Sequence, residues 1–386
     1  MRDYPVRILQ VQIGSNTFSG VASYLYQYYK HMDHDFVHYD FLFCRENSME
    51  LVKNDPALKN SKFYVLNAVR GKSNDYLAIE RGVHKILRAG NYDVIVVNTS
   101  IIAVIYACML GMHGIKNTKF ITHAHNTDLV LGKKSLRAKF LFISKRLDDV
   151  MRHRIRVRSD YLFACTEAAG EMTYGKDSTK LKKFKLIKNA IDTEAFSFDI
   201  AVRNRVRMIQ ETAESTCVYG NVGSFCKRKN QTFLIRVFAL IHKQHPDSEL
   251  WLIGDGKDRE IIEDLICRLN LQGAVKLLGQ RNDVSELMQA MDCFVFPTLS
   301  EGLGIVAIEA QAAGLPTVVS DGVPKDVLIT DLAIMQELAK GEKDWANNIL
   351  KIQMPENRKT VRKEVAKAGF DIQKEAMKIT NFFMKL

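Results

Sequence analysis

The sequence predicts an α/β protein made of two doubly wound domains, and three observations support this prediction. Short apolar runs, typical of buried parallel strands, alternate with helical patterns along the chain. The alternation starts again after Asn189 with a second set of elements. The 386 residues, 47% of them hydrophobic and 26% charged, suit two globular domains, and no linker rich in proline, serine or glycine separates them.

Five apolar runs predict the strands of the first half: VRILQVQI (6–13), FVHYDFLF (36–43), YDVIVV (92–97), KFITH (119–123) and YLFAC (161–165). Helical patterns lie at 21–32 and 74–89. The uncharged stretch 94–112 is interrupted by Asn98, Thr99 and Ser100. It therefore predicts a buried strand, a polar turn and an apolar helix in place of a membrane span, which needs about 20 mainly apolar residues.

The second half contains five more strand runs, at 216–222, 249–254, 274–279, 292–297 and 316–320. Helical patterns lie at 231–243, 259–269, 284–291 and 304–313, and the basic stretch 357–386 is helical. These patterns predict Rossmann-like domains at 1–195 and 196–365, with a C-terminal helix, 366–386, that packs back toward the first domain. We expect the domains to face each other across a cleft, because open parallel sheets bind ligands at the carboxyl ends of their strands.

Composition narrows the classes of partner. Lys and Arg number 55 against 44 Asp and Glu, and the formal net charge of +11 favours nucleic acid, an acidic membrane face or a phosphorylated small molecule. The seven cysteines are scattered and form no CxxC pair, which argues against a disulfide framework and a structural zinc and suits a reducing cytosol. The N-terminal run ends without a small-residue cleavage site and predicts a strand, not a signal peptide.

The sequence lacks the glycine patterns of the common nucleotide-binding turns. Gly254 and Gly256 are followed by Arg259 where GxGxxG needs a third glycine, and the turn at 14–20 has the wrong spacing. GxxxxGK[ST] does not occur. We therefore expect neither a bound NAD nor a P-loop.

The segment PTLSEGLGIVAIEAQAAGLPTVV (297–319) predicts a strand end, a turn and a helix that starts near Gly304. Gly302 and Gly304 allow successive N–H groups to point at an anion at the helix N-terminus. Glu301 precedes the helix, and Glu309 lies within it among Ala and Ile. Such a carboxylate can accept hydrogen bonds from two sugar hydroxyls, although a glutamate that caps the helix or faces solvent is the alternative.

Two other segments carry polar groups at strand ends. NVGSFCKRKNQTFLIRVF (221–238) places Lys227, Arg228 and Lys229 on a strand-to-helix turn, where they could hold a diphosphate or form a solvated basic loop. ITHAHNTD (121–128) places His123 and His125 on one side of a strand. We expect them to hydrogen-bond a substrate hydroxyl or carbonyl, because a catalytic zinc normally has three protein ligands and no third ligand is evident.

The Glu-x7-Glu spacing of Glu301 and Glu309 resembles that of retaining family 4 glycosyltransferases with the GT-B fold. The resemblance runs along almost the whole chain, and its motifs are SGVASYL, HAHNT, KNAIDTEAF, VGSFCKRKN, LIGDG, LLGQRNDVSELMQAMDCFVFP and EAQAAGLPTVVSDGVPKDVLITDL. The sequence is most similar to the bacterial capsular and exopolysaccharide members of that family.

The resemblance implies roles for individual residues. It implies that Glu309 binds the ribose of a nucleotide sugar and that Glu301 lies at the transferred sugar. Lys229 would neutralise the diphosphate leaving group, Arg281 would lie along the base, and His123 would lie near the reaction centre. Backbone amides would meet the diphosphate and sugar, and these belong to Gly20, Gly302, Leu303 and Gly304.

The chain departs from the family pattern in two turns. Ser224 follows Gly223 where the family usually has Arg, and we expect Arg228 to supply part of the missing charge. The pair Ser19–Gly20 replaces a commoner Gly-Gly. Fixed cations and N–H dipoles can stabilise the leaving diphosphate without a metal, and no Asp-x-Asp metal motif is recognisable. The resemblance implies retention by front-face attack, and we expect closure of the two halves to exclude water.

Residues 133–158 form a strongly basic stretch, with ten Lys and Arg against Asp148 and Asp149. Leu136, Phe140, Ile143 and Leu147 recur at helical spacing, so that one face can be buried. We favour contact with an anionic membrane, because lipid-linked sugars are the usual acceptors of the family that the chain resembles. Nucleic acid is less favoured, because no nucleic-acid reader motif accompanies the charge. An ordinary helix packed on its own sheet is the alternative.

Together with these features, the family resemblance implies a cytoplasmic glycosyltransferase, peripheral on the inner face of the cell membrane. Its expected donor is a UDP-sugar, its acceptor a lipid-linked sugar or a saccharide, and it needs no cofactor. Two alternatives stay open: a GT-B nucleotide-sugar epimerase or hydrolase, and a basic nucleic-acid-binding protein.

Overall fold

A computed structural model describes residues 4–12, 20–43, 55–66, 69–70, 73–74, 76–125 and 138–386. The chain divides into two compact units. Unit 1 comprises Met1–Ala190 and Ile372–Leu386, and unit 2 comprises Ile191–Asp371. The division thus falls after residue 190 where the sequence analysis placed it after 195, and the chain returns to unit 1 at residue 372 where that analysis began the final helix at 366.

Unit 1 contains nine described strands. They are β1 (Val6–Gln12), β2 (Val37–Phe43), β3 (Phe63–Val65), β4 (Val69–Arg70), β5 (Ser73–Asn74), β6 (Val94–Asn98), β7 (Lys119–Ala124), β8 (Tyr161–Ala164) and β9 (Phe184–Leu186). The helices between them are α1 (Gly20–Lys30), α2 (Tyr76–Gly90), α3 (Ile102–Gly111), α4 (Ala138–Arg158) and α5 (Glu167–Tyr174). Seven strands form one parallel sheet in the order β3-β2-β1-β6-β7-β8-β9, and β4 and β5 form a separate antiparallel pair.

Both faces of this sheet are buried at its centre. All five residues of β6 are buried, which explains why the strand has an uninterrupted apolar run. Ile95 and Val97 pack with α2 and α3 on one face, whereas Val94 and Val96 pack with α1 on the other. The charge-free stretch 94–112 is β6, a turn and α3, and no helix in the described parts of the chain has the length and hydropathy needed to cross a membrane.

Unit 2 repeats the architecture with six strands: β10 (Cys217–Val222), β11 (Ser248–Ile253), β12 (Val275–Gly279), β13 (Cys293–Phe296), β14 (Thr317–Ser320) and β15 (Ala333–Gln336). Its helices are α6 (Ile200–Ile209), α7 (Gln231–Gln244), α8 (Arg259–Arg268), α9 (Val284–Ala290), α10 (Ile305–Ala312), α11 (Gly341–Ile349) and α12 (Arg358–Val365). The parallel sheet has the order β12-β11-β10-β13-β14-β15. The strand order reverses between β10 and β13, and this switch point is where doubly wound sheets bind ligands.

The last helix, α13 (Ile372–Met384), belongs to unit 1. It follows a bend at Gly369, whose φ of 87° interrupts the helical backbone after α12. The rings of Phe383 and Tyr39 have centroids 6.4 Å apart, and those of Phe382 and Tyr161 lie 4.8 Å apart. The apolar face of α13 therefore completes the core on the α1 side of the sheet.

The fold that the sequence predicts, two doubly wound parallel α/β domains, is confirmed, and all ten predicted strands are present within two residues of the predicted bounds. The sequence analysis missed the short strands β3, β9 and β15 and the β4–β5 pair. β9 has no fully buried residue, so its pattern contains no apolar run. The six cysteines within the described ranges are free thiols.

Candidate functional site

The two turns that follow β10 and β13 lie side by side in unit 2, because these strands are neighbours in the sheet. The N–H of Leu299 donates to the carbonyl oxygen of Arg228 at 2.8 Å. The side-chain amide of Asn230 donates to the carbonyl oxygen of Pro297 at 3.0 Å. These bonds join the turn 223–230 to the turn 297–304 and hold their side chains in one cluster.

Lys229 is the buried cation of this cluster. Its Nζ lies 2.8 Å from Oε1 of Glu301 and 4.7 Å from the centroid of the Phe296 ring, and only 9% of the residue is exposed. Asn230, the residue before α7, has a left-handed φ of 58°, a conformation that Asn tolerates. Lys229 and Glu301 come from different strand ends but form one ion pair.

Arg228 approaches the same carboxylate from the solvent side. Its Nη1 lies 2.6 Å from Oε1 of Glu301 and donates to the carbonyl oxygen of Ser300 at 2.9 Å. Its side chain is 47% exposed, whereas those of Lys229 and Glu301 are each 11% exposed. Lys227, the first cation of the predicted trio, is exposed. The turn therefore presents one buried and two exposed positive charges.

Glu309 lies in the second turn of α10, and its carboxylate has no hydrogen-bond or ion-pair partner among the described residues. Burial raises the pKa of its carboxyl to about 7, and the nearby charge of Lys229 opposes that rise. The neighbouring residues of α10 are apolar and buried, in keeping with the alternating Ala and Ile of the sequence. A carboxylate without a partner at this depth has its oxygens available to a ligand that donates hydrogen bonds.

The N-terminus of α10 contributes backbone donors. Gly304 caps it with a left-handed φ of 84°, and a Cβ there would lie 3.0 Å from Cγ1 of Val323. Leu303 is buried. The N–H groups of residues 302–306 have no acceptor in the described part of the protein, so this end of α10 can receive an anion.

The glycines of LIGDG have a packing role. A Cβ at Gly254 would lie 2.1 Å from the carbonyl oxygen of Gly223, and the residue has a φ of 136°. Only glycine therefore lets the end of β11 approach the turn after β10. This close approach accounts for glycine in a segment that lacks the dinucleotide-binding pattern.

Arg281 makes no ion pair with Glu301 among the described contacts and pairs with Asp283 instead. Its Nε and Nη2 lie 2.8 and 2.5 Å from the two carboxylate oxygens of Asp283, and its side chain is 37% exposed. This bidentate pairing raises the pKa of Arg281 and lowers that of Asp283. Arg281, which the resemblance places along the nucleotide base, is therefore paired with Asp283 of its own turn.

His123 lies in unit 1, near the carboxyl end of β7, and is only 1% exposed. Its Nε2 is buried without a hydrogen-bond partner, and its ring packs against those of His125 and Tyr24, with centroids at 4.0 and 5.0 Å. Desolvation, assisted by His125, holds the pKa of His123 well below 6.5. A neutral imidazole with an unsatisfied nitrogen is suited to hydrogen bonding, and no cluster of three or more metal-ligating side chains occurs in the described ranges.

Polar side chains of β1 and β6 extend the group of side chains around His123 in unit 1. Nδ2 of Asn98 donates to Oε1 of Gln10 at 2.9 Å, and Oδ1 of Asn98 lies 3.4 Å from Nε2 of His125. Sequence reasoning missed Gln10, although a polar residue inside an apolar strand run was a usable signal. It noted Asn98 only as a turn residue. Gly20 is the first residue of α1, and the rest of its predicted turn lies outside the described residues.

The basic stretch 133–158 is described as a helix from residue 138 and with side chains from residue 147. Ile155 is fully buried, whereas Leu147, Val150 and Val157 are 58%, 48% and 65% exposed. Leu147 therefore does not lie on the buried face that the spacing predicted; the buried face of α4 is formed by Ile155, with Met151 packing beside it. Leu136, Phe140 and Ile143 fall outside the side chains that can be described.

Thr298 was also missed by the sequence analysis. It is fully buried, and its Oγ1 lies 3.1 Å from Oε1 of Glu301 and 2.9 Å from the carbonyl oxygen of Arg228. Its place directly after the strand run DCFVFP was the signal, because polar residues at strand ends line the ligand edge of a parallel sheet.

Comparisons with known proteins relate the chain to glycosyltransferases. Residues 203–364 match the family model for glycosyl transferases group 1. EpsF of Bacillus subtilis (strain 168), named as a glycosyltransferase, is 27% identical over 384 residues, which cover 98% of this chain and 96% of EpsF. The Escherichia coli UDP-Gal:alpha-D-GlcNAc-diphosphoundecaprenol alpha-1,3-galactosyltransferase is 32% identical over 145 residues, 36% of this chain and 37% of that enzyme.

Similar solved structures cover almost the whole chain. The crystal structures of Anabaena Alr3699/HepE in complex with UDP and with UDP-glucose have TM-scores of 0.75 and 0.72. Each is 17% identical and covers 98% of this chain and 100% of the other. At this identity the likeness concerns the fold.

Proposed function

We infer that this chain, which has the GT-B fold and carries a group 1 glycosyltransferase domain in residues 203–364, is a retaining glycosyltransferase. It transfers a sugar from a UDP-sugar to a lipid-linked or saccharide acceptor in cell-surface polysaccharide synthesis. The observation that carries this proposal is the cluster in unit 2, where Lys229 and Arg228 contact Glu301 and where the carboxylate of Glu309 has no hydrogen-bond or ion-pair partner among the described residues.

In the proposed complex, unit 2 binds the donor. Lys229, Arg228 and the free N–H groups at the start of α10 bind the diphosphate, because each supplies positive charge or an unsatisfied donor. The carboxylate of Glu309 accepts hydrogen bonds from the ribose hydroxyls, and Glu301 does the same for the transferred sugar. Arg281 lies along the base, with its charge offset by Asp283.

Relatives support the choice of donor and acceptor. HepE has been crystallised with UDP and with UDP-glucose, and the name of the Escherichia coli enzyme gives UDP-Gal as its donor and a diphosphoundecaprenol-linked sugar as its acceptor. The positive charges near Glu301 are compatible with any nucleoside diphosphate, so the support for UDP in particular comes from these relatives and from the family resemblance of the sequence.

The chemical step requires stabilisation of the negative charge that develops on the leaving diphosphate. Lys229 provides a fixed, largely desolvated cation, and preorganised donors in such surroundings contribute about 3–4 kcal/mol each to transition-state stabilisation. The proposal therefore includes no metal ion. The neutral His123, whose Nε2 lacks a partner, donates or accepts a hydrogen bond near the reacting centre. Retention follows from attack on the same face that the diphosphate leaves.

We also propose that α4 contacts an anionic membrane. Leu147, Val150 and Val157 are exposed on the same helix as the exposed cations Arg154 and Arg158. Apolar side chains flanked by arginines suit the boundary between acyl chains and acidic headgroups. This contact would bring the enzyme to a lipid-linked acceptor.

A panel of nucleotide sugars tests the proposed function. We expect UDP-sugars to raise the melting temperature more than GDP- or ADP-sugars, because a ligand bound only by the folded state stabilises it. The preferred donor should then release UDP and label a lipid-linked saccharide with retained anomeric configuration. UDP release without transfer would favour an epimerase or hydrolase, and salt-sensitive nucleic-acid binding without donor turnover would favour a nucleic-acid-binding protein.

A further inference from the structure

Three polar side chains converge on a single oxygen of Glu301. Its Oε1 lies 2.6 Å from Nη1 of Arg228, 2.8 Å from Nζ of Lys229 and 3.1 Å from Oγ1 of Thr298. The other carboxylate oxygen has no partner within the described part of the chain. The contacts of Glu301 are therefore concentrated on the oxygen that faces the two cations.

This arrangement offsets one of the two positive charges that the proposed function assigns to the diphosphate. Lys229 and Glu301 are both nearly nine-tenths buried, so their attraction is screened by water much less than that of an exposed pair. Thr298, whose Oγ1 is the third contact of Oε1, is fully buried. In the structure as it stands, an intramolecular carboxylate occupies the hydrogen-bonding positions on Lys229 and Arg228 that a phosphate oxygen would otherwise take.

We propose that Glu301 is the resting counter-ion of the diphosphate-binding cations and thereby determines preference for a sugar-bearing donor over the free nucleoside diphosphate. This inference rests on the proposed function. A diphosphate that binds Lys229 and Arg228 competes with Oε1 of Glu301. The carboxylate then needs new hydrogen-bond donors, which the hydroxyls of an attached sugar supply and a free diphosphate does not.

The same exchange has a consequence after transfer. Once the sugar has left, Glu301 loses its hydroxyl partners and pairs again with Lys229 and Arg228. The cations then bind the product diphosphate less tightly. Glu301 would thus favour product release, in addition to contacting the sugar.

The test compares wild-type protein with E301Q, which keeps the shape of the side chain and removes its charge. Binding of inorganic pyrophosphate, UDP and UDP-glucose is measured by calorimetry at two salt concentrations. We expect E301Q to bind pyrophosphate and UDP at least fivefold more tightly than wild type, with a steeper loss of affinity in salt. We also expect the ratio of UDP-glucose to UDP affinity to fall by at least fivefold.

The matched control is E286Q, which removes one acidic charge from an exposed ion pair with Arg205 in the same unit. It should leave all three affinities within twofold of wild type.

Thermal unfolding verifies that E301Q is folded. T298V provides a second variant, because it removes one of the three contacts to Oε1 of Glu301. We expect it to shift the ratio of UDP-glucose to UDP affinity in the same direction by a smaller factor.

Unchanged or weaker pyrophosphate binding by folded E301Q overturns the counter-ion inference, as does an unchanged ratio of UDP-glucose to UDP affinity. Failure of the proposed function gives a different result. If E301Q binds pyrophosphate and UDP more tightly and the ratio falls, but wild-type protein transfers no sugar from any UDP-sugar, the counter-ion inference stands and the assignment as a glycosyltransferase fails.

Discussion

The imidazole rings of His123 and His125 lie with their centroids 4.0 Å apart and are both buried in unit 1. Desolvation lowers the pKa of His125 to about 3 and holds that of His123 well below its usual 6.5. Both rings are therefore neutral at physiological pH, and their close contact involves no repulsion between positive charges. In the unfolded chain, each would take up a proton at about pH 6.5.

This difference predicts acid sensitivity of the fold. Between about pH 6.5 and the depressed pKa values, the unfolded chain binds more protons than the folded protein, so stability falls as the pH is lowered. For His125 alone, the loss between pH 7 and pH 5 should be about 2 kcal/mol. Urea denaturation of wild type and His125→Phe at both pH values measures it, and the variant should lose less stability on acidification.

The exposed His113 provides the control, because His113→Gln should leave the pH-dependent part of the unfolding free energy unchanged. An equal loss of stability in wild type and His125→Phe would show that His125 is not the group responsible.

Lys229 and Arg228 should differ in their effect on turnover. Lys229→Ala removes the buried cation and should lower kcat by about 10²- to 10³-fold. Arg228→Ala removes a half-exposed cation, which we expect to supply part of the charge that Ser224 lacks, and it should lower kcat by roughly tenfold. Steady-state rates of UDP release with a fixed acceptor measure both effects.

Arg236→Ala removes an exposed cation of α7 that pairs with Glu342, and it should leave kcat unchanged. If Arg228→Ala has wild-type kcat while Lys229→Ala is inactive, Arg228 does not compensate for Ser224.

Glu309 should make donor binding pH-dependent. Its carboxyl has a pKa of about 7, and only the ionised form has both oxygens free to accept from ribose hydroxyls. Protonation of Glu309 therefore competes with donor binding. Through this group alone, the Kd for UDP should rise about tenfold when the pH is lowered from 8 to 6. Calorimetric titration across this range measures the change.

Glu309→Gln separates this effect from titration of the terminal phosphate of UDP, whose pKa is about 6. The phosphate titrates in the same way whether UDP is mixed with the variant or with wild type. The variant should bind UDP more weakly at pH 8 and show a flatter pH profile. Identical profiles for variant and wild type would mean that Glu309 does not accept hydrogen bonds from the ligand.

Membrane contact through α4 should depend on its exposed apolar residues. Replacing both Leu147 and Val157 with Asp should reduce flotation with vesicles rich in anionic phospholipid by at least fivefold, because it removes apolar area and adds repulsion. Ile209→Asp, at an exposed apolar site of unit 2, should float like wild type. Flotation of wild-type protein that is independent of anionic lipid would exclude this contact.

Much of the fold could be predicted because buried parallel strands leave apolar runs in the sequence. β6, β10 and β13 are clear examples, and their predicted bounds differ from the observed ones by at most two residues. β3, β9 and β15 were missed because three or four residues at or near a sheet edge bury too little to impose a pattern. The exposure of Leu147 was mispredicted because helical spacing alone does not say which of two faces meets the sheet.

The candidate site was predictable residue by residue but not in its contacts. Glu301, Lys229 and Glu309 follow from spacing and resemblance, whereas the pairing of Arg281 with Asp283 and the roles of Thr298 and Asn98 do not. Side-chain partners depend on rotamers and burial, which a single sequence does not record.

By itself, the amino-acid sequence determined the two parallel α/β sheets, because burial of strands and helices requires apolar residues at regular spacings along the chain. Only the tertiary structure decided that Arg228 and Lys229 share the carboxylate of Glu301, more than 70 positions away, since the pairing of β10 with β13 brings their following turns together. The unpartnered state of Glu309 and the neutrality of His123 were likewise decided by burial, which depends on every element packed around them.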